Sequence, residues 1–566
     1  MRVFDDMPRS EHPNPQWKRE TYRILNGVWE FAFDFSNSGA AQDWQHKPFF
    51  DQQIIVPFCP ESKLSGIRFT DFMPAVWYRR TIDCTETELQ NRVILHVGAA
   101  DYLTTVYVNG EEVGKHEGGY TSFAFDITQY LNAGENAVTI RCQDDTRDPL
   151  ICSGKQSDQF ASYACMYTRT TGIWQSVWLE YLPQNHIVSA KIDTDPENAR
   201  VHIRAQIAGA GTLTAAAFWE GACVQSGVAS PCGDIVTLTL DLPELHLWEV
   251  GKGGLYDLKL TFGEDTVQSY FGMRSLKLDG YKFLINGRSV FQRLVLDQGF
   301  YPDGIYTAPS DKALELDILL SMQAGFNGAR LHEKVFEPRF LYHADRLGYL
   351  CWGEFPNWGG ETSRPELLAK FLPQWCEALE RDYNHPSIIG WCPFNETNDR
   401  QVRSTLQIVY ETTKLLDPAR PCIDASGYVH VKTDIFCTHE YCQNPEQFAA
   451  YYADFADGGS FFDCSARQQT YGGQPMFVSE YGGIGWDVSD GWGYGDAPKT
   501  EEAYKARYKG LTDVLLDHPK MFAFCYTQLT DVEQERNGVY TYDRKPKFDP
   551  AFFRAVNTRK AKMEED

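Results

Sequence analysis

The amino-acid sequence predicts two β-sandwich domains, a jelly roll and an immunoglobulin-like domain, followed by a (β/α)8 TIM barrel. Two observations support this fold class. Short alternating or apolar runs separated by turn residues fill the first half of the chain, as in antiparallel β-sheets. Beyond about residue 275 the pattern changes, and eight apolar β-runs alternate with helical segments through the rest of the chain.

The first sandwich is predicted over residues 1–183 and the second over residues 184–274. In the first, runs such as VWEFAFD, RVILHVG and TSFAFDIT indicate the strands of a jelly roll. Asn109–Gly110 predicts a tight hairpin turn, because both central positions of that turn need positive φ. In the second, runs such as VHIRAQI, DIVTLTLDL and LYDLKLTF follow one another at the spacing of an immunoglobulin-like domain.

The barrel is predicted over residues 275–566. Its first helix is predicted over residues 310–324, where apolar residues recur every four positions between Ser310 as N-cap and Gly325 as the stop. Further helical runs include PRFLYHADRL and EEAYKARYKGLTDVLL, and the β-runs from SVFQRLVL to MFAFCYTQL number eight. A doubly wound sheet is the alternative, but it gives no reason for eight units.

The composition excludes several classes of partner. A formal charge of −24 and a pI near 5.0 repel nucleic-acid phosphates and anionic membrane surfaces. No secretory signal and no apolar stretch of about 18 residues is found, which predicts a soluble cytoplasmic protein without membrane contact. The 15 cysteines are odd in number and lack CxxC spacing, so free thiols in a reducing compartment are expected rather than zinc ligands or disulfides.

Barrel active sites lie at the carboxyl ends of the strands, where this sequence places many polar residues. Carboxylates, histidines and an amide, without a metal-ligand set or a phosphate loop, favour acid–base chemistry on an uncharged polar substrate, and sugar hydrolysis is the leading case. The candidates are Asp297, Arg330, His332, Glu354, Asn395, Glu396, His439, Tyr441, Glu480 and Gln528 at strand ends, with Trp486 in a following loop.

Glu396 and Glu480 are the predicted catalytic pair. Cleaving a glycosidic bond requires a protonated leaving-group oxygen and stabilisation of the positive charge that develops at the anomeric carbon, and two carboxyl groups supply both. A separation of about 5 to 5.5 Å would suit retention through a covalent intermediate. Repulsion and desolvation are expected to raise the pKa of Glu396, whereas hydrogen bonds from Tyr441 and Arg330 keep Glu480 ionised.

Each candidate also has a structural explanation that the sequence leaves open. The catalytic pair could be surface carboxylates or ion-pair partners, and the two histidines could be satisfied structural groups. Asp297 and Glu354 could be buried partners of Arg330. Three tryptophans could stack on a sugar or serve only in packing: Trp358, Trp486 and Trp492.

These segments also carry a family resemblance. The matching motifs are NGVWEF, AVWYRRTI, VYVNGEEVGKHEGGYTSFAFDIT, GIWQSVWLE, FGMRSLKL, FLINGRSVF, FNGARLH, GWCPFNETN, MFVSEYGG and TQLTDVEQERNGVYTYDRKPK. From about Asn26 to Lys547 the chain resembles glycoside hydrolase family 2, which contains β-galactosidases, β-glucuronidases and β-mannosidases. The resemblance implies a sugar-binding jelly roll, Glu396 as acid/base after an Asn395 that binds the sugar 2-hydroxyl, and Glu480 as nucleophile.

Two departures from the family pattern shape the expected specificity. The magnesium pattern Glu-x-His of the long β-galactosidases is replaced here by GEFPNWGGE, so no metal and no other cofactor is predicted. The Asn-x-Lys pair that binds the sugar carboxylate in β-glucuronidases is replaced by Glu535–Arg536–Asn537, and an extra acid repels an anionic substrate. A neutral sugar, most commonly β-galactose, is therefore expected, with mannosides, arabinosides, galactofuranosides and glucuronides as alternatives.

Other functions stay open at this point. A non-catalytic carbohydrate-binding protein could use the same scaffold, although it would be expected to have lost one of the two glutamates. A metal-dependent hydrolase on a barrel is a third possibility, which inhibition by chelators would support. Family members often pair through their accessory domains, so a homo-oligomer is compatible with the resemblance, and the sequence leaves the oligomeric state open.

Overall fold

The computed structural model describes residues 6–459 and 468–564. Within them, residues 22–182 form a β-sandwich. Its four-stranded sheet has the order Tyr22–Ile24, Val177–Leu182, Arg92–Val97 and Phe123–Asp126. Its six-stranded sheet has the order Gln52–Val56, Gly27–Phe33, Ala75–Cys84, Gly134–Gln143, Leu103–Val108 and Glu111–Glu117. A short pair joins Ala100–Asp101 to Gly172–Ile173.

Local sequence signals explain the hairpins of this sandwich. Asn109 and Gly110 have φ of 53° and 87°, as the tight turn predicted between Leu103–Val108 and Glu111–Glu117 requires. Between the two sheets, apolar residues from both inner faces form one core that includes Trp29, Tyr78 and Leu95. Single 3-10 turns lie at Ala40–Gln42, Trp44–His46, Glu88–Gln90 and Thr128–Tyr130.

A second sandwich spans residues 186–271. One sheet contains His186–Asp195, Arg200–Ala208 and Ile235–Asp241, and the other contains Ala222–Ala229, Leu213–Trp219, Tyr256–Phe262 and Asp265–Phe271. In Arg200–Ala208 the buried residues alternate with exposed ones, because successive side chains of a strand point to opposite faces.

Eight parallel segments form the barrel, numbered here as strands 1 to 8. They are Gln292–Asp297, Gly328–Leu331, Leu350–Glu354, Ile388–Cys392 continued by Phe394–Asn395, Ala425–Ser426, Phe436–Glu440, Met476–Gly482 and Met521–Thr527. Seven of them share one sheet in the order 4-3-2-1-8-7-6, and strand 5 pairs with the continuation of strand 4. A small sheet of Leu276–Asp279, Lys282–Ile285 and Arg288–Ser289 precedes them, and Phe283 packs on Phe522 at the start of strand 8.

Helices follow every barrel strand of the described residues except strand 5. They are Asp311–Gln323, Pro338–Leu347, Leu367–Asp382, Arg403–Leu416, Pro445–Ala456, Glu501–Leu516 and Pro550–Asn557, with a 3-10 turn at Lys562–Glu564. Ser310 caps the first helix by accepting a hydrogen bond from Ala313 N–H, and Gly325 follows it with φ of 86°. Pro445–Ala456 and Pro550–Asn557 were not singled out by the sequence, because short helices carry little periodic signal.

The predicted fold class is confirmed, and the exact domain boundaries remain predictions. The sandwich and the barrel share one core, in which Tyr120 and Trp174 of the sandwich pack against Tyr306 of the barrel. The first sandwich therefore lies directly against loops at the carboxyl ends of the barrel strands. No helix among the described residues combines the length and the apolar character needed to cross a bilayer.

Candidate active site

Glu396 and Glu480 lie at the carboxyl end of the barrel. Glu480 belongs to strand 7, where it pairs in register with His439 of strand 6. Glu396 directly follows strand 4 and has φ of 52°, a left-handed conformation that costs a residue with a side chain about 1 kcal/mol. A hydrogen bond from Glu396 N–H to Ser426 O, 2.7 Å long, holds that conformation. The left-handed backbone of Glu396 is thus fixed by strand 5, at the position predicted to be catalytic.

His439 links the two carboxylates. Its Nδ1 lies 2.7 Å from Glu396 Oε1, and its Nε2 lies 3.4 Å from Glu480 Oε1 and 3.0 Å from Ser426 Oγ. One atom from each of Glu396, His439 and Glu480 forms a group within 4.8 Å. The His439 side chain is 1% exposed and that of Glu396 17%, so the pair is accessible from the Glu396 side. The two carboxylates therefore face one another across a gap of the size of a sugar carbon and its substituent.

Arg330 organises the base of the site. Its guanidinium donates to Glu480 Oε1 at 3.0 Å, to Glu354 Oε1 at 2.6 Å and to Asn395 Oδ1 at 3.0 Å. The residue is 1% exposed, so these bonds act in a dry environment where a planar donor fixes its partners well. The other Asn395 group, Nδ2, has no partner among the described residues and is free to bind a substrate hydroxyl.

Tyr441 provides the second donor to Glu480. Its hydroxyl lies 2.5 Å from Glu480 Oε2, and its ring stacks on Tyr494 with centroids 3.5 Å apart. Each oxygen of Glu480 thus has one strong donor. Such a carboxylate is held in a fixed orientation, as a nucleophile requires.

The direction of the pKa shift agrees with the expectation for Glu480 and differs from it for Glu396. Burial raises the pKa of Glu480, but the charges of His439, His332 and Arg330 outweigh it, so the pKa lies well below its ordinary value, as predicted. Burial also raises the pKa of Glu396, but the hydrogen bond and charge of His439 outweigh it. The predicted rise for Glu396 is therefore wrong for the free site, because the sequence did not reveal His439 as its donor.

The pKa of the neighbouring His439 imidazole shifts in the opposite direction to that of Glu396. Burial lowers the pKa of His439, but the charges of Glu480 and Glu396 raise it by a larger amount, so the net shift is upward. The two opposite shifts favour a proton on the imidazole rather than on the Glu396 carboxyl. That proton lies one short hydrogen bond from Glu396.

Comparison with known proteins agrees with this arrangement. Residues 22–183 match the model of the glycosyl hydrolases family 2 sugar binding domain, and residues 341–554 match the family 2 TIM barrel domain. The chain belongs to glycoside hydrolase family 2. It is therefore a glycosidase.

Individual family 2 relatives are distant. A β-glucuronidase of Paenibacillus borealis is 25% identical, with 92% of this chain and 94% of that protein aligned. A β-galactosidase of Thermoanaerobacter pseudethanolicus is 27% identical, but only 56% of its length is covered, by 75% of this chain. The structure of a Ruminococcus gnavus β-glucuronidase with D-glucuronic acid shares the fold with a TM-score of 0.79, at 20% identity over 97% of this chain and 99% of that one.

The other predicted residues differ in whether they contact Arg330. His332 and Glu354 bind each other, with Nδ1 and Oε2 3.0 Å apart, and so support Arg330. Asp297 instead accepts from Gly299 N–H at 2.9 Å, and burial next to Asp317 raises its pKa to about 7. Its contacts are thus with its own loop rather than with Arg330.

Gln528 and Trp486 complete the predicted set. Gln528 donates through Nε2 to Asn537 Oδ1 at 2.8 Å, and its Oε1 has no partner among the described residues, so it remains a candidate for substrate binding. The Trp486 ring packs edge-on against Phe548 at 4.8 Å and Tyr504 at 5.9 Å. These contacts fit the packing alternative, and a role for Trp486 in stacking on the sugar stays a prediction.

Several residues near the site were missed by the sequence. Lys155 of the first sandwich lies with its ammonium 3.7 Å from the centre of the Trp358 ring. Glu333, with φ of 50°, accepts a hydrogen bond from Trp358 N–H at 3.0 Å, and Tyr167 of the sandwich donates to Glu535 at 2.6 Å. These residues lie in loops, two of them in another domain, and no periodic pattern marks them.

A metal ion is a possible occupant on distance alone, since the Glu396, His439 and Glu480 atoms lie within 4.8 Å. The donors, however, already have partners. Both nitrogens of His439 are engaged, and Arg330 lies on the Glu480 oxygen that a cation would use. This set fits carboxylate chemistry better than a metal site, and the absence of a required metal stays a prediction.

Proposed function

We propose that this family 2 enzyme is a retaining exo-acting β-glycosidase, with Glu480 as nucleophile and Glu396 as general acid and base. One observation carries the proposal: the two carboxylates approach within 4.8 Å at the mouth of the barrel, joined by His439. Retaining enzymes place their two carboxyl groups about 5–5.5 Å apart, whereas inverting enzymes leave about 6.5–9.5 Å for a water molecule.

The reaction then follows in two displacements. In the first, a Glu480 oxygen attacks the anomeric carbon as the bond to the leaving-group oxygen breaks, and Glu396 gives that oxygen a proton. In the second, Glu396 takes a proton from water, the water oxygen bonds to the anomeric carbon, and Glu480 leaves as a carboxylate. At the end of the cycle the sugar and the leaving alcohol have been released, Glu396 carries a proton again, and Glu480 is again a carboxylate.

The proton inventory of the free site supports these roles. Arg330, Tyr441 and His439 keep Glu480 ionised, so the nucleophile is ready. The proton for Glu396 is shared with His439 across 2.7 Å. Because an approaching sugar displaces water from Glu396, the carboxylate is disfavoured there and the proton moves to it.

Buried side chains support an exo mode of action. Lys155 and Tyr167 from the sandwich and Glu535 from the loop after strand 8 are all buried beside the site. Their burial indicates that the sandwich and this loop cover part of the barrel mouth, which disfavours a polysaccharide chain running through it. A single terminal sugar fits this arrangement better than an internal one.

The choice of sugar is a finer part of the proposal. A β-galactosidase is expected from the sequence, whereas the named relatives include β-glucuronidases and β-galactosidases. The case against a uronic acid rested on the added charge of Glu535. That carboxyl accepts hydrogen bonds from Tyr167 and from Asn537, so both of its oxygens are engaged by protein donors, and burial raises its pKa. Both neutral sugars and uronic acids therefore enter the test.

The test is turnover of nitrophenyl β-glycosides by the wild type and three variants. Glu480→Gln is expected to lose activity by at least about 10⁴-fold while folding normally. Glu396→Ala is expected to be slow on unactivated glycosides but rescued by azide on activated aryl glycosides, giving the β-glycosyl azide. Glu411→Gln, an exposed glutamate paired with Lys432, serves as the control and should match the wild type. Wild-type turnover by Glu480→Gln would reject the proposal.

A further inference from the structure

Lys155 is held at the barrel mouth by the loop that carries it. The preceding residues, Ser153 and Gly154, donate backbone hydrogen bonds of 2.7 and 3.0 Å to Trp358 O. Gly154 has φ of 58°, and a Cβ there would lie 2.5 Å from Glu333 O, so no larger residue fits without moving the barrel loop. The Lys155 carbonyl accepts from Tyr167 N–H at 2.7 Å. The sandwich therefore presents this lysine to the barrel in a fixed position.

The Lys155 ammonium has aromatic and acidic surroundings but no direct partner. The residue is 6% exposed, and within the described residues its Nζ makes no hydrogen bond and no ion pair. Beneath it lies the Trp358 ring at 3.7 Å, which favours a cation on its face. Burial lowers the pKa of Lys155, but its acidic neighbours, Cys165 first and then Glu535, Glu396 and Glu480, raise it by more. The ammonium is therefore charged, and it lies among the groups of the catalytic site.

The Lys155 ammonium has three N–H donors that no acceptor among the described residues uses, and its residue is only 6% exposed, so a ligand that accepts from them replaces the water that the group has lost. Nearby, the Arg330 cation is fully used by protein acceptors, and His439 has both nitrogens engaged. Among the described residues of this site, Lys155 is thus a cation whose donors remain for a substrate. A carboxylate is the sugar substituent that gains most from such a donor.

The opposing acid, Glu535, is held by donors within the protein. Glu535 and Asn537 stand where the family resemblance implies an asparagine and a lysine. Asn537 Nδ2 donates to Glu535 Oε1 at 3.0 Å and Tyr167 donates to Oε2 at 2.6 Å, so both oxygens face protein donors. Glu535 is 2% exposed. The oxygens of Glu535 are thus engaged by Tyr167 and Asn537, and the Lys155 ammonium stays available to a ligand.

We propose that Lys155 is the specificity-determining residue of the site, binding the carboxylate of a uronic acid, so that β-uronides are the preferred substrates. This inference rests on the proposed glycosidase function and adds the substrate class. It differs from the expectation of a neutral sugar because the decisive cation comes from a domain that the barrel pattern does not describe.

Substrate pairs that differ only at C6 test this directly. We would compare 4-nitrophenyl β-D-glucuronide with the β-D-glucoside, and the β-D-galacturonide with the β-D-galactoside. The wild type is expected to show a higher kcat/KM for the uronide of at least one pair. Lys155→Met should lower that uronide-to-neutral ratio by about 10- to 100-fold, mainly through KM, as expected for loss of a charge-assisted hydrogen bond. Lys155→Arg should keep part of the ratio.

Two controls separate binding from other effects. Lys115→Met removes a surface lysine of the same sandwich, which pairs with Glu112, and should leave the ratio unchanged. Direct binding of free D-glucuronate, D-galacturonate and D-glucose to Glu480→Gln, with and without Lys155→Met, gives a readout without turnover. Thermal unfolding of each variant confirms that it is folded.

The outcomes are distinct. Equal losses on both members of each pair after Lys155→Met, or a wild type that prefers the neutral sugars, would overturn the role of Lys155 and leave the glycosidase proposal intact. A shift of the whole pH profile on both sugars would likewise overturn it, since Lys155 would then act only on the catalytic carboxylates. If no β-glycoside is cleaved, or if cleavage does not depend on Glu480, the proposed function itself fails.

Discussion

Replacement of His439 by glutamine is the most informative perturbation of the proposed mechanism. In the wild type the His439–Glu396 pair holds one proton up to the raised pKa of the imidazole, and the same imidazole helps to lower the pKa of Glu480. Glutamine keeps a polar side chain but carries no proton to share. We therefore expect both limbs of the pH dependence of kcat/KM to move toward each other.

The magnitude follows from the two contacts. The bond of 2.7 Å to Glu396 is a charge-assisted hydrogen bond, worth about 1.5–3 kcal/mol, or about one to two pKa units. The contact of 3.4 Å to Glu480 is longer and contributes less. Without the imidazole, Glu396 alone holds the proton that is needed for leaving-group protonation, so the apparent pKa of the basic limb decreases. The acidic limb rises because Glu480 loses one positive neighbour, and the maximal rate should drop by about 100-fold.

The assay is kcat/KM of His439→Gln between pH 4 and 9 on the best nitrophenyl glycoside of the panel. His202→Gln, which changes a half-buried histidine of the second sandwich, is the control and should keep the wild-type profile. A variant that is slower but retains both limbs would show that His439 only positions Glu396. A basic limb that moves upward would contradict the shared-proton reasoning itself.

Three further predictions concern charge and stability. Arg330→Met leaves Glu480 and Glu354 without their buried donor, so kcat/KM should fall by at least about 100-fold and the acidic limb should rise, in the same pH assay. Burial raises the pKa of Asp101 to about 7, so the folded state keeps a proton that the unfolded chain releases above about pH 4, and its stability cost grows as the pH rises. Asp101→Asn should therefore raise the free energy of unfolding by about 1–3 kcal/mol at pH 8 but little at pH 4.5, measured by urea titration; an equal effect at both values would contradict this. Dialysis against EDTA should change turnover by less than about twofold, and a larger loss restored by Mg²⁺ would refute the metal-free prediction.

The unequal success of the sequence-based predictions has local causes. Ser310, Gly325 and the Asn109–Gly110 turn were read correctly, because caps and turns depend on the few residues that form them. Glu396 and Glu480 could be located because strand ends of a barrel meet at one face. For Trp486 the sequence left packing and sugar stacking open, since an aromatic residue in a loop gives no sign of which way its ring will pack.

The sequence by itself determined the order of the domains, the eight-strand barrel and the two glutamates, since these depend on hydrophobic periodicity and on residues that end apolar runs. Only the tertiary structure decided which donors surround those glutamates. His439 reverses the expected pKa shift of Glu396, and Lys155 arrives from a loop more than two hundred positions away in the chain. The physical reason is that hydrophobic patterning records which face of an element is buried, whereas the electrostatics of a site depend on distances between side chains that only folding brings together.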